Sequence, residues 1–414
     1  MSDLNIQHIR SLFPILHQEV NKHPLVYLDN AATTQKPLSV IEALQTYYQL
    51  DNANIHRGAH TLADRATGMF EDTRKAVKQF IHAAEAEECI FTKGVTESIN
   101  LVAQTWGRKF LNAGDEIIIS YLEHHSNIVP WQMICEEKGA VLKVIPVLPN
   151  GTLDMDAYHQ LLSDRTKLVA CTWASNALGT INPVKEIIEA AHAYHALVLL
   201  DGAQAGSHLE IDVQALDIDF LTLSSHKLYG PTGVGVLYGK RTLLEMMPPY
   251  QGGGEMIKEV SFEHTTYNEI PFKFEAGTPN IGDVIAFKQA ITFVNNIGKP
   301  NIIKHENLLL QHFTSGIHKL NQAFGSEQIA LYGTAADKVA VQSFIVKGKH
   351  PFDTGMMLDA RGIAVRTGHH CTQPLMRFFD IEGTVRASFA IYNTLEEVDI
   401  LVEAIRNMIH KPAF

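Results

Sequence analysis

The stretch Leu197-Val198-Leu199-Leu200-Asp201-Gly202-Ala203-Gln204 is an apolar run that ends in an acid. A second run, Asp219-Phe220-Leu221-Thr222-Leu223-Ser224-Ser225-His226-Lys227, ends in an amine. Both read as buried strands that give way at once to polar residues. Working outward, further short apolar runs lie at Cys89-Ile90-Phe91-Thr92, Glu116-Ile117-Ile118-Ile119, 141–147 and Leu168-Val169-Ala170-Cys171. Between most of them the pattern is helical, over 61–81, 98–111 and 184–194, the first opened by a capping box at Thr61-Leu62-Ala63-Asp64. This alternation predicts an α/β fold whose central sheet is mostly parallel and flanked by helices. Val234-Gly235-Val236-Leu237-Tyr238 is expected to fold back antiparallel.

Beyond about residue 293 the texture changes. A long helix is expected over 301–321, strands over 341–346 and 384–389, and a last helix over 395–408 behind the capping box Thr394-Leu395-Glu396-Glu397. The chain is therefore divided into a large domain over 30–290 and a smaller α+β domain made of 1–29 and 291–414. A length of 414 residues suits that division, and 46% hydrophobic with 19% charged residues describes an ordinary globular chain.

A net charge of −11 with no block of basic residues argues against nucleic acid or an anionic membrane as partner. No apolar run approaches the ~18 residues of a membrane span. Met1-Ser2-Asp3-Leu4 lacks the layout of a secretory signal. The four cysteines are scattered without a CxxC pair, so neither a disulfide framework nor a zinc knuckle is indicated, and no metal site is expected. A cytoplasmic protein with reduced thiols is the expectation.

In parallel α/β sheets the site lies beyond the C-terminal strand ends. A carboxylate there, at Asp201, keeps a pyridine nitrogen protonated, and an amine at Lys227 carries a carbonyl cofactor covalently: the pair points to pyridoxal 5′-phosphate (PLP). Thr92-Lys93-Gly94-Val95-Thr96-Glu97 joins a strand to a helix, and its free N–H groups with the Thr96 hydroxyl suit a phosphate. Most such turns bind nothing, so the reading rests on the set. His124 and His125 follow another strand, where a histidine either stacks on the ring and moves protons or belongs to a metal pair or a solvated loop.

Cys371, in Arg361-Gly362-Ile363-Ala364-Val365-Arg366-Thr367-Gly368-His369-His370-Cys371, stands beside two imidazoles and near an arginine, surroundings that favour thiolate. Arg386 is a cation inside a strand otherwise fit for burial. It wants an anion, either an amino-acid carboxylate or an internal salt-bridge partner. No GxGxxG follows the first strand, which argues against a dehydrogenase. A non-catalytic scaffold fits poorly with an intact Lys227, Asp201 and Cys371.

Taken together, these segments resemble the SufS-type (group II) cysteine desulfurases, PLP enzymes of fold type I, the aspartate aminotransferase fold. The resemblance runs nearly end to end, through Tyr27-Leu28-Asp29-Asn30-Ala31-Ala32, Asn54-Ile55-His56-Arg57-Gly58, Glu123-His124-His125-Ser126-Asn127, Ser225-His226-Lys227-Leu228-Tyr229-Gly230-Pro231 and Phe274-Glu275-Ala276-Gly277-Thr278-Pro279-Asn280. Arg366-Thr367-Gly368-His369-His370-Cys371 separates this group from group I, whose cysteine sits on a longer, serine-rich loop.

The resemblance implies a homodimer that converts L-cysteine to L-alanine and leaves a persulfide on Cys371. A SufE-like or SufU-like acceptor would take that sulfur for iron–sulfur cluster assembly. It implies that Lys227 carries the cofactor and abstracts the substrate α-proton, that Asp201 pairs with the pyridine nitrogen, and that Gln204 meets the ring hydroxyl. His124 would stack on the ring. Thr96, Ser224 and His226 would hold the phosphate, with Thr278 from the other subunit, while Asn176, Arg366 and Arg386 would face the substrate. The nearest alternative is a related PLP lyase with another preferred substrate, such as selenocysteine lyase or cysteine sulfinate desulfinase activity, side activities that the family often shows.

Overall fold

A computed structural model describes residues 4–410 of the chain. Its central sheet has seven strands, β1 (Cys89–Thr92), β2 (Glu116–Ser120), β3 (Val141–Ile145), β4 (Thr166–Thr172), β5 (Leu197–Asp201), β6 (Phe220–Ser224) and β7 (Gly235–Gly239). They lie in the order β1-β7-β6-β5-β4-β2-β3. Strands β2 to β6 are parallel to their neighbours, and β7 runs antiparallel between β6 and β1.

The apolar runs are continuous because both faces of the sheet are covered. Side chains alternate across a strand, and here they feed two separate cores. Ile118, Val169, Cys171, Val198, Leu200, Leu221 and Leu223 enter one cluster, while Ile117, Ile119, Leu168, Ala170, Leu199 and Phe220 enter the other. From β2 the chain steps outward to β3, then returns to β4 and continues to β5 and β6 on the far side. The gap between the ends of β2 and β4 is thus the topological switch point, where α/β sheets place their ligands.

A smaller antiparallel sheet follows, built from β8 (Ile329–Tyr332), β9 (Val341–Val346), β10 (Arg366–Gly368) and β11 (Thr384–Ser388) in the order β8-β9-β11-β10. Helices Lys299–Ala323 and Leu395–His410 cover it, and Leu309, Phe313, Val398 and Leu401 fill its core. The N-terminal segment divides between the two bodies. Ile9, Phe13 and Leu16 pack into the large core, whereas Val26 and Leu28 enter the small one. Val26–Tyr27 pairs in parallel with Ile363–Ala364, and Asp29 bridges to Ser388.

Helix ends differ from the sequence reading in instructive ways. The helix Thr61–Phe80 is capped by the His60 imidazole, which accepts the Ala63 N–H at 3.2 Å, because Thr61 is already helical. The Thr394 box forms as expected: Glu397 N–H donates to the Thr394 hydroxyl and Thr394 N–H to the Glu397 carboxylate. The helix expected over 98–111 starts at Val95 and loosens into a π turn over Ala103–Gly107, where the Thr105 hydroxyl donates back to the Leu101 carbonyl at 2.6 Å. Among the described residues no helix is long and apolar enough to cross a membrane.

Candidate active site

The ends of β2, β4, β5 and β6 open into a cleft of about 760 Å³ between the large sheet and the small one. Its lining includes Thr96, His124, Asn176, Asp201, Gln204, Ser224, His226, Lys227, Arg366, Cys371 and Arg386. Eleven of the twelve expected site residues therefore share one space. Thr278 is exposed and lies outside the lining, although its neighbour Asn280 donates to the Gly233 carbonyl at the cleft's edge, at 3.2 Å.

One end of the cleft is an anion cradle. The helix Val95–Val102 points its N-terminus at it, with Thr96 in the first turn. Ser224 ends β6, and Ser225–Lys227 forms a tight turn beyond it. Strand β7 passes so close behind that a Cβ on Gly235 would stand 2.4 Å from the Gly94 Cα. Only glycine at 235 lets the sheet support this turn. The His226 carbonyl is gathered in by the Thr34 N–H at 3.0 Å and the Lys36 ammonium at 3.0 Å, which anchors the Lys227 turn.

The other groups line the middle. Asp201 is buried and accepts the Ala203 N–H at 2.9 Å. Burial raises its carboxyl, and the same hydrogen bond and the Lys227 charge oppose that rise. Lys227 is pushed down to about 8 by burial, partly offset by Asp201. The Gln204 amide donates to the Ala31 carbonyl at 2.8 Å, which leaves its oxygen end for a ligand. His124 is brought down to about 4 by burial and then by the Lys227 charge, so its imidazole is neutral at neutral pH. The backbone N–H of Ser126 donates to its Nδ1 at 3.1 Å, which fixes the proton on Nε2. His125 is held separately, its Nε2 accepting the Gln373 N–H at 3.3 Å.

Facing this wall, Arg366 on β10 stands directly opposite Arg386 on β11. Like charges in cross-strand register repel, and Asp29 lies between them, 3.1 Å from the Arg386 guanidinium and 3.4 Å from that of Arg366. Of the two expected partners of Arg386, the structure shows the internal salt bridge, in which one carboxylate serves two guanidinium groups. Burial lowers Arg386, and its Nε finds no hydrogen-bond partner among the described residues. Arg386 also donates to the Asn176 carbonyl at 2.8 Å, and the Asn176 amide donates to the His370 carbonyl at 2.8 Å. That chain leads to Cys371, which is half-buried. His370 and Cys371 both take left-handed backbone (φ +51° and +58°), a costly pair for residues with side chains. The bend is held by His125 N–H donating to the Cys371 carbonyl at 2.9 Å and by Cys371 N–H donating to His369 Nδ1 at 3.1 Å.

Three residues that matter here were missed by sequence reasoning as site residues: Asp29, Glu123 and His370. Each sits inside a quoted motif, and an acid directly before the His124-His125 pair was the available signal for Glu123. The arrangement fits PLP. It offers a helix N-terminus with hydroxyl groups and glycine-only clearance that would hold the phosphate, a buried carboxylate for the ring nitrogen, a neutral imidazole and an amine of lowered basicity.

Comparison with known proteins agrees with this geometry. The family model described as Aminotransferase class-V matches residues 26–401. A cysteine desulfurase of Synechococcus elongatus is 53% identical over 404 residues, covering 98% of this chain but 64% of that longer protein. The chain thus spans a little under two thirds of that relative. A probable cysteine desulfurase of Halalkalibacterium halodurans is 48% identical over 402 residues, with 97% of each chain covered. Among solved structures, an apo cysteine desulfurase from Thermococcus onnurineus superposes with a TM-score of 0.92 at 38% identity, covering 99% of both chains. With its two-body α/β architecture, its strand-end lysine and aspartate and this span of similarity, the chain belongs to the aminotransferase class-V family.

Proposed function

We propose that this protein is a PLP-dependent cysteine desulfurase that converts L-cysteine to L-alanine and keeps the sulfur as a persulfide on Cys371. The observation that carries the reading is that Cys371 opens into the same cleft as Lys227, Asp201 and the Arg366–Arg386 pair. The cofactor, when bound, supplies an electron sink that lets the C–H and C–S bonds of the amino acid break.

The chain's own groups do the rest. Asp201, buried near the Lys227 charge, would pair with the ring nitrogen and keep it protonated. Arg386 takes the substrate carboxylate by opening its share of Asp29, with Arg366 and Asn176 beside it. Lys227, with its basicity lowered to about 8, accepts the α-proton at a pH where a free lysine would stay charged. His124 stays neutral and presents its Nε2 proton to the cleft. The Cys371 sulfur then attacks the substrate sulfur. An S–S bond forms as the C–S bond breaks, and the electron pair of the broken bond remains with the carbon skeleton, which takes up one proton at Cβ, regains one at Cα and leaves as alanine.

The half-buried Cys371 on a short bend favours hand-over to a protein over free diffusion of sulfide, consistent with a SufE-like or SufU-like acceptor feeding iron–sulfur cluster assembly. An exposed Thr278 outside its own cleft suits a homodimer in which it completes the partner subunit's phosphate cradle.

The test is alanine formation from L-cysteine by PLP-loaded protein with a thiol reductant, for wild type and Cys371→Ala, with and without each acceptor type. The expected result is activity in wild type, stimulated by one acceptor, and a loss of at least about 100-fold in the variant with its visible absorbance retained. Equal rates in both proteins would remove Cys371 from the reaction, and no alanine under any condition would overturn the desulfurase reading.

A further inference from the structure

Directly before His124 lies Glu123, fully buried, whose side chain the mechanism above does not use. Its carboxylate gathers three donors from three places. The Ser120 hydroxyl at the end of β2 donates to Oε1, the Thr172 N–H at the end of β4 donates to Oε1 at 2.9 Å, and the Asn127 amide donates to Oε2 at 2.6 Å. Two of these donors cannot reverse. A backbone N–H only donates, and the Asn127 amide is fixed because the Trp131 indole N–H already occupies its oxygen at 2.8 Å. Both carboxylate oxygens therefore face obligatory donors. A carboxylate satisfies that pattern directly, whereas an amide would turn a donor toward a donor. Burial pushes the Glu123 carboxyl up to about 7, with the three donors and the nearby Asp201 as the further influences.

The position is that of the topological switch point. Glu123 straps the loop carrying His124 to the end of β4, and Thr172 is the register partner of Asp201 on β5. One carboxylate thus sets the spacing between the imidazole and the acid that address the same ring. The titratable groups facing it are Asp201, whose charge raises it, and the buried Cys171 thiol below.

We propose that Glu123 is a positioning residue of the reaction read above: its carboxylate fixes the His124 loop against the β4–β5 strand ends and contributes negative charge beside Asp201 at the floor of the cleft. The inference rests on that reading for its role in turnover, but its electrostatic part is measured without L-cysteine.

The experiment compares PLP-loaded wild type, Glu123→Gln and Ser120→Ala by visible absorbance titrated from pH 6 to 9, by kcat and KM for alanine formation, and by thermal unfolding. Loss of the negative charge in Glu123→Gln should disfavour the protonated chromophore, moving its midpoint down by roughly half a pH unit or more. It should also lower kcat about tenfold with KM changed less than about twofold. Ser120→Ala, which removes one donor and leaves the carboxylate, should slow turnover by a smaller factor and keep the midpoint. If Glu123→Gln unfolds, the Ser120→Ala result decides, and a wild-type kcat there overturns the positioning role. A Glu123→Gln protein with wild-type midpoint and kcat and only a lowered Tm overturns the proposal. If wild type forms no alanine yet the midpoint moves as expected, the reading of the reaction fails and the electrostatic assignment stands.

Discussion

At the scale of single residues, the cleft economises on charge. Asp29 holds two arginines that the β10–β11 register forces face to face, so the pair carries one uncompensated positive charge toward the substrate side. A guanidinium can keep one edge on Asp29 and the Asn176 carbonyl while offering another, which an ammonium cannot do. Arg386→Lys should therefore raise KM for L-cysteine by roughly tenfold or more while leaving the visible absorbance of the loaded protein in place, measured by alanine formation across substrate concentration. An unchanged KM would remove Arg386 from carboxylate binding.

Lys227, Asp201, His124, Arg386 and Cys371 were legible in the sequence because each interrupts a recognisable local pattern at a strand end, in a polar loop or inside a strand. Asp29, Glu123 and His370 were not, since what singles them out is a partner across the fold. Asp29 meets Arg386 across more than three hundred residues of chain, and nothing local to Tyr27-Leu28-Asp29 announces that meeting.

At the scale of elements, the strands of the parallel sheet were the easiest to read, since burial on both faces writes an unbroken apolar run. Edge strand β3 shows the contrast, because its expected span of 141–147 shortens to Val141–Ile145, whose side chains are mostly partly or fully exposed. Helix beginnings were harder: Val95 already belongs to the helix because the turn at Gly94 ends at once, and the Thr105 back-bond that opens the π turn has no period to betray it. The close pass of β7 behind Gly94 was invisible for the same reason. It predicts that Gly235→Ala, a harmless change in most strands, costs about 2–3 kcal/mol of stability by pushing β7 off the cradle. Denaturant unfolding should report that loss, and PLP affinity followed by absorbance should fall with it. Full stability in the variant would mean that the cradle yields without cost.

At the scale of the whole molecule, the two cores meet along a cleft that keeps several imidazoles neutral. His124 and His226 are held at about 4 and His370 at about 2, each chiefly by burial. An unfolded chain takes up those protons near 6.5, so between that value and the folded ones the unfolded state binds more protons. These imidazoles should consequently contribute a loss of stability as pH drops from about 6.5 toward 5, opposed in part by Glu123, while the lowered Lys227 contributes a rise above pH 7, neither depending on L-cysteine. Thermal unfolding of wild type and His370→Gln, followed across that range, checks this. The variant should show a shallower slope, and an identical slope would assign the acid sensitivity to other groups.

The parallel pairing of Val26–Tyr27 with Ile363–Ala364 carries a consequence for the protein's birth on the ribosome. At usual elongation speeds, on the order of 20–70 s separate synthesis of these two segments. Throughout that wait Val26 and Leu28, both destined for the small core, have no core to enter. The large sheet, whose strands all emerge before residue 240, can form meanwhile from locally ordered crossovers. Nascent chains of this protein are therefore expected to carry a formed large sheet and an unsatisfied leading segment together, which makes that segment a natural foothold for chaperones during translation.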